Sequence, residues 1–355
     1  MKILCITRTV GNRGGHVIFA QLIRALKSQG YVIDFVAFKP DGTDDFSNCE
    51  SLYEGLDAKV IAVPASENDA TQMDAYLAAS VKFLKAYQHT YDKIILDSWL
   101  TAAAGIIARV EYGKSYQLVQ SDPLFAPEDE SVIWKSRYFE LLPLYPMQRV
   151  VVSQSIQTLF EQRYHTVHPR IDLSIDDAYR TADFTVQDGP VMRFVSSASD
   201  FNIPSKGLDF LLQSLKEFDK PCSLTLISGK PIHKDLAGYP FAVTEKTAET
   251  VDQMIQILQA HDAYVNTSTR ESFGLALAEA ITLGMPAIAL DSVGNRDYNR
   301  GDNFIFVEDK SHFNEQLVQI CKREVRERLH NNARSSMDAY KLSVMVDHFK
   351  SAIKI

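Results

Sequence analysis

The chain of 355 residues is 46% hydrophobic and 23% charged, with a formal net charge of −8. That balance is the one of a soluble globular protein and excludes a broadly basic nucleic-acid binder; no apolar run approaches the ~18 residues of a spanning helix. The four cysteines, Cys5, Cys49, Cys222 and Cys321, are scattered without CxxC spacing, which argues against structural zinc and for buried thiols in the cytosol.

The N-terminal "MKILCITRTV" has too short an apolar part for a signal peptide, and arginine follows at once, so it reads as a first β-strand. Strands are predicted at 2–6, 32–38, 58–63, 93–97, 116–120 and 149–153, with helices at 16–30, 70–88, 101–111 and 155–164 between them. The first helix ends at Gly30, a natural C′ glycine. From His168 to Pro190 the alternation stops in a polar, acidic stretch, read as an interdomain linker at 171–188. A second series follows: strands at 191–199, 222–228, 263–268 and 286–291, with helices at 207–218, 248–259 and 275–283. Two tail helices are predicted, at 311–337 and 338–355. Alternating strands and helices predict parallel sheets, here in two doubly wound, Rossmann-like α/β domains at 1–170 and 189–337. Ligands of such sheets bind at the carboxyl ends of the strands, and a cleft between two such domains is the expected site.

Three stretches carry candidate chemistry. In "TRTVGNRGGHVIFA", Gly14 and Gly15 follow the first strand and open a helix whose free N–H groups suit a phosphate, with Arg8 and Arg13 nearby in sequence. The spacing is not GxGxxG, and a glycine turn joining strand to helix reads equally well. In "SASDFNIPSKGLDFLLQSL", Lys206 stands at a helix start, where the helix dipole disfavours a cation; a bound anion would resolve this, and an ordinary surface lysine is the alternative. In "STRESFGLALAEAITLGMPAIAL", Glu279 is the only charge in an apolar helix, with no lysine or arginine one turn away. A buried, unpaired carboxylate is costly. Glu279 therefore faces solvent, finds a distant partner, or receives a ligand such as the paired hydroxyls of a ribose. Glu271 and the backbone of Ser272, Phe273 and Gly274 precede that helix, where a first-turn carboxylate would also act as a cap.

The run Glu271, Ser272, Phe273, Gly274, Leu275, Glu279, Ala280, then Gly284 and Pro286, resembles the E-x7-E signature of the GT-B glycosyltransferases, in particular retaining family 4. The double glycine and Lys206-Gly207 match two further landmarks of that family in the right order. The resemblance implies a GT-B fold and metal-free transfer of a sugar from a UDP-, GDP- or dTDP-linked donor, with a role in building cell-surface polysaccharides. It implies that Glu279 holds the ribose, that Glu271 and the backbone of Ser272–Leu275 meet the sugar and diphosphate, and that Lys206 neutralises the diphosphate. The Gly14-Gly15 loop would close on the phosphates. The acceptor would be a glycan, a lipid-linked molecule or a small molecule, with no nucleic acid and at most peripheral membrane contact.

Three departures from the pattern stand out. The usual arginine before the lysine is absent, its place taken by Ser199, Asp200 and Phe201, which leaves Arg8, Arg13 and Arg270 as substitutes. Ser272 replaces a glycine. Asp122, in "SDPLFAPEDES", occupies the neighbourhood of a family histidine and is a third catalytic candidate beside Glu271 and Lys206; a turn aspartate before proline reads equally well. The family also implies that the C-terminal helix, 338–355, crosses back onto the first domain. The alternatives to a transferase are a phosphorylase on the same fold and a non-catalytic partner subunit. Glu279 is expected to face the interdomain cleft with no basic side chain in reach.

Overall fold

Apolar runs such as "KILCI" and "AIAL" form strands buried on both faces, as expected of parallel strands covered by helices. A computed structural model describes residues 1–8, 14–41, 55–65, 69–121, 144, 145 and 147–355. They form two units, Met1–Leu173 with Leu342–Ile355, and Ser174–Lys341. Among the described residues no helix is long and apolar enough to cross a membrane.

The first unit contains β1 (Lys2–Ile6), α1 (Gly14–Ser28), β2 (Val32–Pro40), β3 (Lys59–Val63), α2 (Asp69–Tyr87), β4 (Lys93–Leu96), α3 (Trp99–Ile107), β5 (Ser115–Val119), β6 (Gln148–Val151) and α4 (Gln154–Tyr164). Its parallel sheet has the order β3-β2-β1-β4-β5-β6. Leu4, Ile6, Phe38, Ile94 and Leu96 form one side of its core with Tyr76, Phe83 and Leu84 of α2. α1 buries Ile18, Phe19, Leu22, Ile23 and Leu26, the stripe expected from its period. Ser98 caps α3 through a reciprocal pair: its Oγ accepts from Thr101 N–H at 3.2 Å, and Thr101 Oγ1 accepts from Ser98 N–H at 3.1 Å.

The second unit contains α5 (Asp177–Thr181), β7 (Met192–Ala198), α6 (Leu208–Lys216), β8 (Cys222–Ser228), β9 (Ala242–Lys246), α7 (Val251–Gln259), β10 (Ala263–Asn266), α8 (Leu275–Leu283), β11 (Ala287–Leu290), β12 (Ile305–Val307), α9 (Phe313–Ile320) and α10 (Arg323–Ser336). Its sheet order is β12-β11-β10-β7-β8-β9, also parallel. α11 (Leu342–Ile353) belongs to the first unit, where it packs on α1 and buries Met345, Val346, Phe349 and Ile353.

The structure corrects three expectations. The helix predicted over 311–337 is two helices. Arg326, itself buried, donates from Nη1 to the carbonyls of Ile320 and Cys321 at 3.2 and 2.6 Å, holding α9's last turn where the chain breaks. Strands β9 and β12 were not predicted, one because "AVTEK" is a largely exposed edge, the other because it is three residues long. The stretch 171–188 is not a free linker: Ile171, Leu173, Ile175, Tyr179 and Phe184 are buried. Ile175 N–H donates to Tyr340 O at 2.9 Å, and Arg180 Nη2 donates to the carbonyls of Met337 and Tyr340 at 2.9 and 2.8 Å. Aspartates between the apolar residues hid the pattern.

Each sheet has one point where the chain's direction of travel reverses. In the first unit β1 neighbours β4, while β2 and β5 lead away on opposite sides. In the second, β7 neighbours β10, while β8 and β11 lead away. Loops leaving such neighbouring strands diverge and open a crevice at their carboxyl ends.

Candidate active site

Two loops meet where β7 and β10 lie side by side. The first runs from β7 to a short turn, Pro204–Lys206, and then to Gly207 at φ +71°. A Cβ on Gly207 would lie 2.1 Å from the carbonyl oxygen of Thr267, just past β10, so only glycine allows this approach. Thr267 Oγ1 donates to Gly207 O at 3.1 Å and Thr269 N–H to Ser205 O at 2.9 Å, tying the loops together.

The second loop carries Glu271, whose N–H donates to Ser292 O at 2.8 Å. The result is an ion pair: Lys206 Nζ lies 2.6 Å from Glu271 Oε1, with side chains only 17% and 19% exposed. Lys206 thus has a partner that its place at a helix start did not reveal. Two of the three catalytic candidates from the sequence are brought together. The third, Asp122, lies outside the described residues, as does Arg13.

Gly274 begins α8 at φ +88°, and no side chain caps the helix there. Its first N–H groups are available to an anion. Tyr298 Oη donates to Gly274 O at 2.9 Å, and a Cβ on Gly274 would meet that hydroxyl at 2.8 Å. Phe273 is 2% exposed and packs its ring on Tyr298 and Tyr340 at 5.1 and 5.4 Å, so it anchors the loop rather than facing a ligand. Ser272 and Leu275 flank it and are half-buried.

Glu279 lies one turn into α8. Its partner is the Tyr179 hydroxyl on α5, in the stretch read from sequence as a linker. Burial pushes its carboxyl up to about 7, the Tyr179 hydrogen bond opposes this, and Asp176 adds a like charge. Among the described residues no cation pairs with it. Because the folded value is raised, the native state binds a proton that the unfolded chain releases from about pH 4.5 upward, so this contribution to stability is lost as pH rises from there to about 7. Glu279→Gln should therefore flatten the fall in melting temperature between pH 4.5 and 7; an unchanged slope would show that another group titrates there.

The place of the family's arginine holds Asp200. It accepts from Asn202 N–H at 3.0 Å and pairs with Lys230 Nζ at 3.2 Å. Lys230 follows Gly229 at the end of β8, next to β7 in the sheet. Sequence reasoning missed it, although glycine-lysine directly after a strand was a signal of the kind used for Lys206. Nothing in the sequence marked Tyr179. Of the other substitutes, Arg8 donates to Met73 Sδ at 3.2 Å and Arg270 is exposed beside Glu271. In the first unit, Gly14 and Gly15 do open α1, and a Cβ on Gly15 would come within 2.8 Å of Gln120 Oε1, the tip of a side chain able to move aside.

Residues 189–323, which carry this ion pair and the start of α8, match the family described as Glycosyl transferases group 1. The second unit is thus similar to a group 1 glycosyl transferase domain. The glycosyltransferase similarity extends along the chain: it is 25% identical to D-inositol 3-phosphate glycosyltransferase of Jonesia denitrificans, over 80% of this chain and 76% of the relative. Its fold is shared with sucrose-phosphate synthase from Thermosynechococcus elongatus, at a TM-score of 0.80 and 16% identity over 99% of this chain and 98% of that one. Anabaena HepE, solved in complex with UDP-glucose, aligns at a TM-score of 0.74 and 18% identity over 100% and 99% of the two chains. The chain shares with them the GT-B fold of two Rossmann-like domains.

Proposed function

We propose that this glycosyltransferase moves a sugar from a nucleoside-diphosphate donor to an acceptor hydroxyl, with retention of anomeric configuration and without a metal, as a family 4 member of the cytosol that helps build cell-surface polysaccharide. The observation that carries the reading is the Lys206–Glu271 pair at the meeting of β7 and β10, beside the uncapped start of α8. A diphosphate there would find a lysine ammonium and helix N–H groups, which supply the positive charge that a metal supplies elsewhere. Lys230 stands at the end of the adjoining strand and is the second cation for the phosphates. Glu279, already holding the Tyr179 hydroxyl, has a carboxyl group suited to ribose hydroxyls, and Glu271 takes the donor sugar in this reading. In the transfer step the bond from sugar to diphosphate breaks, the acceptor oxygen bonds to the sugar on the same face, and the departing phosphate oxygen takes the acceptor proton.

Thermal unfolding with UDP, GDP and dTDP tests this. A nucleotide at a hundred times its Kd stabilises by about 2.7 kcal/mol, or about 5–10 °C for a unit of this size. One of the three should give that shift, Glu279→Ala should remove it, and the matching nucleotide sugar should be slowly hydrolysed. No shift with any of them would overturn the donor site and favour a non-catalytic partner subunit; a shift with turnover only in inorganic phosphate would favour a phosphorylase.

A further inference from the structure

Lys206 and Glu271 follow the carboxyl ends of β7 and β10; the amino ends of the same strands hold something else. There, and at the start of β8 between them and the sheet edge, lies a cavity of about 150 Å³. It is lined by residues leading into those strands and by the turn from α9 to α10. A cavity of about that volume takes a molecule the size of benzene. Val191, Met192 and Pro221 give it apolar walls.

Arg326, on α10, also lines the cavity and is 2% exposed. A guanidinium carries five N–H groups. Those on Nη1 donate to the carbonyls of Ile320 and Cys321, and those on Nη2 to Gln187 O at 3.0 Å and Asp188 Oδ1 at 3.1 Å. The guanidinium is therefore fixed in place. Its Nε is left over, buried and without a hydrogen-bond partner among the described residues. Proteins seldom bury a donor in that way, and here a cavity adjoins it.

The charges around the cavity are sorted in favour of an anion. Its two carboxylates are each held by an arginine, Asp188 by Arg326 at 3.1 Å and Asp262 by Arg193 at 2.6 Å. Lys220, exposed at the rim, adds a positive charge. Burial raises the Cys321 thiol on the same wall; Lys220 and Arg326 both lower it, against Asp262 and Asp219, so these charges share one neighbourhood.

We propose that this cavity binds a small carboxylate with a short apolar body, its charge facing Arg326 and Lys220 and its body against Val191, Met192 and Pro221. A cation would meet two positive charges, a neutral molecule would leave them unanswered, and inorganic phosphate has no apolar body for the walls. The site stands at the opposite end of the strands from the donor site and does not depend on the donor reading.

The test is calorimetry on the whole chain with pyruvate, benzoate, inorganic phosphate and neutral benzamide, beside the rate at which iodoacetamide alkylates Cys321, read by peptide mass spectrometry. Pyruvate or benzoate should bind saturably and slow Cys321 alkylation in step with occupancy. Lys220→Glu should weaken that binding about fivefold or more, because the reversal turns attraction into repulsion. Arg326→Lys should abolish it, but this change also frees the last turn of α9, so the exposed Lys220→Glu is the deciding variant. No saturable carboxylate binding by folded wild type, equal binding by Lys220→Glu, or binding that leaves Cys321 as reactive as before would overturn the site. So would phosphate or benzamide binding as well as the carboxylates, or displacement of the carboxylate by UDP, GDP or dTDP, which would place it at the donor site. A chain that binds no nucleotide but still binds the carboxylate fails the donor reading and leaves this site standing.

Discussion

Gly207→Ala should lower the melting temperature by about 10 °C. Two penalties coincide. The backbone sits at φ +71°, where a side chain costs about 1–2 kcal/mol. The new Cβ would also stand 2.1 Å from Thr267 O and 2.8 Å from its carbonyl carbon, which are backbone atoms that cannot swing away. Forcing them apart separates the loops that set Lys206 and Glu271, and overpacking of this sort costs about 1–3 kcal/mol more. At about 2–4 °C per kcal/mol for a unit of this size, the sum of about 2–5 kcal/mol corresponds to roughly 4–20 °C, a range centred near the stated shift. Gly113→Ala is the control: nothing lies within 4 Å of its Cβ position and its φ is not positive, so it should be near neutral. A Gly207→Ala shift under 2 °C in calorimetry would mean that the two loops are not pressed together as described.

The second large effect concerns the ion pair. Lys206→Ala should weaken binding of the nucleoside diphosphate by at least tenfold and slow transfer by about 100-fold to 1,000-fold, since a charged contact is worth about 1.5–3 kcal/mol and a lost charge stabiliser slows chemistry by that order. Glu271→Gln should separate the two quantities. In the free protein Glu271 holds the lysine ammonium at 2.6 Å, so an incoming diphosphate competes with it. Removing that carboxylate frees Lys206, and affinity for the bare nucleoside diphosphate should hold or rise while sugar transfer falls. Calorimetry with the diphosphate beside turnover of the nucleotide sugar reads both. If Glu271→Gln and Lys206→Ala weaken the diphosphate alike, the pair is only a structural clasp.

Much of this was legible in the sequence because burial on both faces writes strands as unbroken apolar runs, and because a lone carboxylate in an apolar helix asks for a reason. Lys206 and Glu271 could each be singled out, but their distance in the chain hid that each answers the other. The acidic stretch at 171–188 misled for a physical reason: the buried alternation of Ile171, Leu173 and Ile175 is short and interrupted by aspartates, so Tyr179, the partner of Glu279, carried no mark. The glycines divided likewise. Gly207 read as a landmark beside a lysine, whereas its role is to let two backbones touch, which depends on the distant Thr267.

The first unit is completed by α11, yet the whole of Ser174–Lys341 lies between its two parts in the chain. At synthesis rates of about 5–20 residues per second, the apolar face of α1 waits roughly 15–65 s for Met345, Val346, Phe349 and Ile353 to be made. The second unit is continuous and has no such delay. Birth order and folding order are therefore opposed: the part made first is finished last, and during that interval its uncovered helix is where a chaperone or a mistaken partner would attach.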